Sequence, residues 1–202
     1  MPTPDASLGL RERKNRRTQR AIVQAAAELT IEGGYAAATI PRIAERADVA
    51  PRTIYAWFPA KEDILFDRVD DTIARAIEHL RNGAGDVVDR IEAWLADPTG
   101  REQRDPEITR LRDAAIAHDP ELRARAHQHL EQIQSEIAQA VARDIGVAAQ
   151  DVRPQTFAGA AMAFLFTLRS IGLEGRGDGP AQMAIGVEFL RAGLAAITPT
   201  RP

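Results

Sequence analysis

Residues 39–58, Thr-Ile-Pro-Arg-Ile-Ala-Glu-Arg-Ala-Asp-Val-Ala-Pro-Arg-Thr-Ile-Tyr-Ala-Trp-Phe, constrain this chain more than any other stretch. Thr39 suits an N-cap, and Ile40, Ile43, Ala44 and Ala47 recur at i, i+3, i+4 and i+7, one apolar helical stripe. Asp48-Val49-Ala50 interrupts the stripe. Pro51 then suits the first turn of a new helix, where its missing N–H costs little. In that second helix Ile54 and Phe58 stand at i, i+4 and face inward. Arg52, Thr53 and Ala56 face outward, with Tyr55 and Trp57 on the flanks. Two short helices about a tight turn, the second basic at its start, form the pattern of a helix-turn-helix, whose second helix enters the DNA major groove.

Charge agrees with that reading. Residues 11–61 carry ten Lys/Arg against five Asp/Glu, a surplus of five positive charges, whereas residues 62–202 carry 16 basic and 23 acidic residues, an excess of seven negative ones. A basic head on an acidic body presents one end to a polyanion. With no cysteine in its 202 residues the chain has no disulfide framework, thiolate metal site or thiol nucleophile. No apolar run approaches the ~20 residues of a membrane span, and the first ten residues lack the apolar segment of a secretory signal. A cytoplasmic protein is expected.

Residues 1–10 are punctuated by Pro and Gly and read as a disordered terminus. A basic stretch, Arg11 to Arg20, leads into a helix ended by Gly33-Gly34. After the two helices of the motif, one helix runs from about Ile64 to Asn82 and another from about Asp86 to Ala96. Asp97-Pro98-Thr99-Gly100 is a turn, and Asp105 caps a helix to about His118. Asp119-Pro120 opens a long helix that ends near Gly146. Helices over about Thr156–Ile171 and Pro180–Ile197 follow, separated by the glycine-rich Gly172 to Gly179. No segment alternates with period two, so the fold class is all-α with about nine helices. The expected domains are a three-helix DNA-binding unit at residues 11–60 and a larger helical body at 61–202.

The last two helices carry a second pattern. Phe157, Ala161, Phe164, Leu168 and Ile171 follow 4-3-4-3 spacing, as do Met183, Val187, Leu190, Leu194 and Ile197. Small residues stand elsewhere on both helices, so each is buried on more than one side. Central helices of a monomer satisfy this, and so does a four-helix bundle in a homodimer. The second is preferred, with Phe157, Ala161, Phe164, Leu168, Met183, Val187, Leu190 and Leu194 at the interface, because a reader of palindromic DNA needs two-fold symmetry.

Arg20-Ala-Ile-Val-Gln-Ala-Ala-Ala-Glu-Leu, Gly33-Gly-Tyr-Ala-Ala-Ala-Thr-Ile and the run from Ile43 to Leu65 together resemble the N-terminal domain of the TetR family of bacterial regulators, over about Arg17–Phe66. The resemblance implies a DNA-binding domain, a dimerising, ligand-binding helical body and repression relieved by a small molecule. Carried onto this chain, it implies that Thr39 offers its hydroxyl and the helix start behind it to a phosphate. It implies that Arg52 reads guanine through a bidentate pair. Thr53 would reach a base edge or phosphate, and Ala56 would meet a thymine methyl. Tyr55 and Trp57 would bond phosphates, unless they only pack at a domain junction, and Lys61 would clamp one. Lys14, Arg16 and Arg17 would form an arm along the DNA, unless they are merely solubilising charge. Arg42 and Arg46 read as a solvated face. Pro41 stands where relatives often have a polar residue, which removes that contact.

The body, through Ala117-His-Asp-Pro-Glu-Leu-Arg-Ala-Arg and Asp151-Val-Arg-Pro, resembles the actinobacterial branch whose C-terminal domain takes acyl-CoA-like ligands. The resemblance implies a small hydrophobic or acyl-CoA-like effector in a pocket lined by Trp94, Leu111, Phe157, Phe164 and Arg169. A DNA-binding dimer that answers to a protein partner, or to no ligand, is the alternative. An enzyme is not expected. His118-Asp119 superficially resembles the His-Asp pair of metal phosphohydrolases, but the further His and Asp ligands are missing, and His127 and His129 diverge around a helix. No metal and no cofactor are expected.

Overall fold

The basic stretch does not precede the first helix; it forms the first part of it. In the computed structural model, which describes residues 9–97, 105–174 and 179–199, α1 runs over Leu10–Gly33. Arg, Lys, Gln and Glu are good helix formers, and Glu12 pairs with Arg16 one turn on at 3.6 Å. Lys14, Arg16 and Arg17, expected to form an arm along the DNA, therefore stand on a helix. Residues 1–8 of the expected disordered terminus lie outside the described residues, while Gly9 takes the N-cap position of α1.

A 3-10 turn at Tyr35–Ala37 is followed by α2 (Ile40–Arg46), α3 (Pro51–Trp57), α4 (Asp63–Asn82), α5 (Val87–Ala96), α6 (Pro106–His118), α7 (Pro120–Ile145), α8 (Val152–Glu174) and α9 (Gly179–Ile197). The protein is all-α, with nine α-helices among the described residues. The turn expected at residues 97–100 lies, after Asp97, outside the described residues. The expected glycine-rich separator is shorter than Gly172–Gly179, because α8 continues to Glu174 and α9 begins at Gly179; residues 175–178 lie outside the described residues.

Two compact units form. The first holds α1–α3, α4 as far as Asp71, α6, and α7 as far as His127. Its core buries Ile22, Leu29, Ile43, Ile54, Phe58, Ile64, Leu65 and Phe66 together with Ala115 of α6 and Leu122 of α7. Each large apolar side chain contributes roughly 1.5–3 kcal/mol on full burial, so α6 and α7 help to hold the helix-turn-helix. Helix α6 lies along α1. Asp105 caps α6 as expected, its Oδ1 accepting from the Glu107 and Ile108 amides at 3.0 and 3.3 Å. Arg20 then pairs with Asp105 at 2.8 Å and Glu107 at 2.6 Å.

The second unit holds the remainder of α4 and α7 with α5, α8 and α9. Helix α5 starts in a full capping box, Asp86 accepting from the Val88 and Asp89 amides while Asp89 accepts from the Asp86 amide. Gly85 turns the chain into this cap at φ 80°, and a β-carbon there would stand 2.3 Å from Asp89 Oδ2. From α7, Asp144 accepts the Val87 amide at 2.7 Å and pairs with Arg90, whose side chain is only 7% exposed. Arg81 of α4 pairs likewise with the buried Glu136 of α7.

Helices α8 and α9 pack on each other with the 4-3 stripes turned inward. Phe157, Ala161, Val187, Leu190 and Leu194 are buried and Phe164, Leu168 and Met183 half-buried within one chain. Part of the face expected between two copies is thus packed inside the protomer, while Phe164, Leu168 and Met183 stay half-open. The spacing correctly marks a buried face but does not say which helix covers it. The open faces of α8 and α9 instead expose Phe166 (46%), Ile185 (69%) and Phe189 (61%).

Candidate nucleic-acid interface

The turn between α2 and α3 is built from backbone hydrogen bonds. The Val49 amide donates to the Ala44 carbonyl at 3.0 Å and the Asp48 amide to the Glu45 carbonyl at 3.2 Å, the pair of bonds that closes a Schellman motif. This requires a left-handed residue after the helix, and Asp48 supplies it at φ 53°. Asp tolerates that region better than most non-glycine residues because its short side chain bonds locally. The chain re-enters helix at Ala50-Pro51, extended and then at the first helical position, and the Thr53 amide meets the Ala50 carbonyl at 2.8 Å.

The faces of α3 fall as the sequence requires. Ile54 and Phe58 are buried, while Arg52 and Ala56 are exposed and Tyr55 is 57% exposed. Thr53 is half-buried, and half-buried Trp57 packs on the core of this unit. The aromatic pair is therefore split between an open tyrosine and a tryptophan engaged in packing. Thr39 occupies the N-cap position of α2 in extended conformation, but its hydroxyl makes no capping bond to the helix, against expectation. The side chain is exposed.

Two arginines of α2 turn back on the fold. Arg42 donates to the Ala37 carbonyl at 2.8 Å, and Arg46 donates through two N–H groups to Glu32 of α1 at 2.6 and 2.8 Å. Those bonds hold the Glu32 carboxyl below its ordinary range and push the Arg46 guanidinium up. The i+14 separation from Glu32 to Arg46 spans a turn whose geometry the sequence does not show, so the pair was not legible there.

Lys61 lies in the turn before α4 and not on the helix itself. Its ammonium stands 3.6 Å from the centroid of the Tyr35 ring and donates to the Tyr35 carbonyl at 3.0 Å. Tyr35 is buried, and burial, with Glu62 nearby, holds its phenol well above the ordinary range. The Tyr35 amide in turn donates to Asp119. Neither Tyr35 nor Asp119 carries a local sequence signal for this contact, which joins positions 84 residues apart. On α1, Lys14 and Arg17 are exposed, whereas Arg16 is half-buried beside Glu12.

The five residues expected to line a pocket are divided between the two units. Leu111 packs on the core of the first unit. Trp94, Phe157, Phe164 and Arg169 belong to the second, with Phe157 buried, Trp94 and Phe164 half-buried and Arg169 exposed.

An exposed recognition helix backed by a buried apolar face, on a chain of helices, defines a helix-turn-helix DNA-binding regulator. Residues 22–67 match the family of bacterial regulatory proteins of the tetR type, and residues 86–195 match the MftR C-terminal domain. The chain belongs to the TetR family of DNA-binding transcriptional regulators, which are not enzymes. It is 35% identical over 89 residues to the HTH-type transcriptional repressor KstR of Rhodococcus jostii, covering 44% of this chain and 42% of that protein. It is 37% identical over 73 residues to the HTH-type transcriptional regulator TcmR of Streptomyces glaucescens, covering 35% and 32%. The chain thus matches less than half the length of these curated relatives. In fold it is similar to a transcriptional regulator from Rhodococcus sp. Rha1 (TM-score 0.53, 15% identity, 91% of this chain and 99% of that one) and to GusR of Salmonella enterica (TM-score 0.52, 20% identity, 90% and 95%). Among the described residues no helix is long and apolar enough to cross a membrane.

Proposed function

We propose that this regulator is a cytoplasmic repressor that binds a palindromic operator as a homodimer and leaves it when a small hydrophobic effector binds. The observation that carries the DNA reading is the open face of α3, where Arg52, Tyr55 and Ala56 stand exposed over buried Ile54 and Phe58. The DNA-binding domain is residues 11–60 and the effector and dimerisation domain 61–202. Arg52 reads a guanine, Ala56 meets a thymine methyl, and Thr53 reaches a base edge or phosphate. Thr39, Tyr55, Trp57 and Lys61 hold phosphates, with Lys14, Arg16 and Arg17 of α1 on the flanking backbone. The repressor sense follows the relative KstR, itself a transcriptional repressor.

The homodimer is supported by the exposed Phe166, Ile185 and Phe189, apolar side chains that a second copy would cover. Light scattering at micromolar concentration tests it: the native chain should run as a dimer and Phe189→Glu as a monomer. A native monomer that still footprints a palindrome would sink the dimer. For the effector, the likeness of residues 117–151 to the acyl-CoA-like branch and a match to the Fatty acid metabolism regulator protein of Bacillus subtilis (39% over 59 residues) point to an elongated acyl ligand. Trp94, Phe157 and Phe164 of the second unit are its proposed lining, and such a ligand acts only through differential affinity for two states. Operator binding is to be titrated with long-chain acyl-CoAs and free fatty acids. If none binds or changes operator affinity, the acyl assignment fails and a partner-regulated or ligand-free dimer takes its place.

A further inference from the structure

The carboxylate of Asp119 serves two elements at once. Its Oδ1 accepts from the Glu121 and Leu122 amides at 2.9 and 3.3 Å and so caps α7. Its Oδ2 accepts from the Tyr35 amide at 2.9 Å, 84 residues away in the chain. Tyr35 follows the sharp turn at Gly34 (φ 81°), and its ring is buried in the core of the first unit. Tyr35 offers Lys61 its carbonyl and one face of its ring, and Lys61 uses both, one as acceptor and one as cation–π face. An ammonium has three donors. With one given to the Tyr35 carbonyl, two remain to meet a phosphate, on a side chain whose usual rotamer freedom has already been lost.

We propose that Asp119 is a positioning residue for DNA binding: by accepting the Tyr35 amide it holds the carbonyl and ring that cradle Lys61, and so sets where the Lys61 ammonium meets a phosphate. The proposal rests on Lys61 being a phosphate contact. It adds to that contact a determinant in the turn between α6 and α7, inside the segment matched by the C-terminal domain family and outside the one matched by the N-terminal family. The three groups form one chain of contacts within a single compact unit. A shift of that turn would reach the phosphate without moving α3.

The test uses Asp119→Asn and Asp119→Ser. Both keep an oxygen that can cap α7, but Asn turns an amide donor toward the Tyr35 amide and Ser is too short to reach it. Binding of the full-length chain to a random-sequence duplex is measured from 50 to 200 mM salt beside Lys61→Ala. Each lost phosphate contact lowers the salt slope by about 0.9, so the ratio of native to variant affinity should shrink roughly 3.5-fold per protomer across that range. Lys61→Ala and both Asp119 variants should move the same way, and Lys61→Ala with Asp119→Asn should be no worse than Lys61→Ala. Native slopes in both Asp119 variants while Lys61→Ala loses slope would overturn the proposal and leave the phosphate contact standing. Additive losses would overturn it too, since Asp119 would then act apart from Lys61. A native slope in Lys61→Ala would remove the phosphate contact and the proposal with it. Hydrogen exchange of the Tyr35 amide in the native chain needs no variant: protection is expected, and free exchange overturns the cradle.

Discussion

The ring of Phe164 on α8 occupies the space that a β-carbon on Gly186 of α9 would need, with Cε2 only 1.8 Å from that point. The two helices come this close because position 186 has no side chain. An exposed Gly→Ala change in a helix would gain about 1 kcal/mol from propensity, but overpacking costs about 1–3 kcal/mol. Gly186→Ala should therefore lower stability by up to ~2 kcal/mol, and Gly186→Val by more. Urea melts check this, with Phe164→Leu in the Gly186→Ala background expected to recover part of the loss. An unchanged midpoint in Gly186→Val would mean that the ring swings away freely.

Asp144 is the counter-charge of the buried Arg90 and the acceptor of the Val87 amide. Asp144→Ala leaves a buried guanidinium without its partner and should cost about 3–5 kcal/mol. Replacing both, as Arg90→Met with Asp144→Leu, should cost less than the single change, because no stranded charge remains. A double variant as unstable as Asp144→Ala would show that the Val87 amide, not the charge, carries the loss.

Arg52→Ala should cost operator affinity about 1–3 kcal/mol per half-site and relax specificity at one base, with little effect on random DNA. Competition between operator and random duplexes measures the split. Equal losses on both would show that Arg52 touches only phosphate.

The Asp119 carboxyl is held below its ordinary 3.8, first by the Tyr35 amide, further by the Leu122 and Glu121 amides and the Arg123 charge, and against the opposing effect of desolvation. A carboxyl depressed in the folded state stabilises above its unfolded value and loses that contribution as pH falls through the folded one. The stability gap between the native chain and Asp119→Asn should thus be level near neutral pH and close below 3.8. Denaturation midpoints measured from pH 7 to pH 2 decide, and a gap that persists to pH 2 would assign it to shape alone.

The sequence speaks most clearly where local physics decides. Ile54 and Phe58 at i, i+4, Pro51 at a helix start and Asp105 as a cap all stand in the fold as read. It speaks less clearly where the partner surface decides. The stripe from Phe157 to Leu168 announces a buried face, and α9 of the same chain packs against it, while Ile185 and Phe189, themselves at i, i+4, stay exposed with Phe166. Leu111 is apolar on a mixed helix, and nothing in its spacing says that α1's unit claims it. Tyr35 and Asp119 look like a turn residue and a helix cap; their hydrogen bond joins positions 84 residues apart, a closure no local pattern encodes.

The first unit's core is closed by Ala115 and Leu122, which the chain delivers only after an excursion into other helices. Synthesis at ~5–20 residues per second puts roughly 3–10 s between the emergence of Phe66 and that of Leu122. During that interval a nascent chain carries its recognition helix with a seat in the core unfilled. A fragment cut after Asp71 would therefore be missing residues from its own interior.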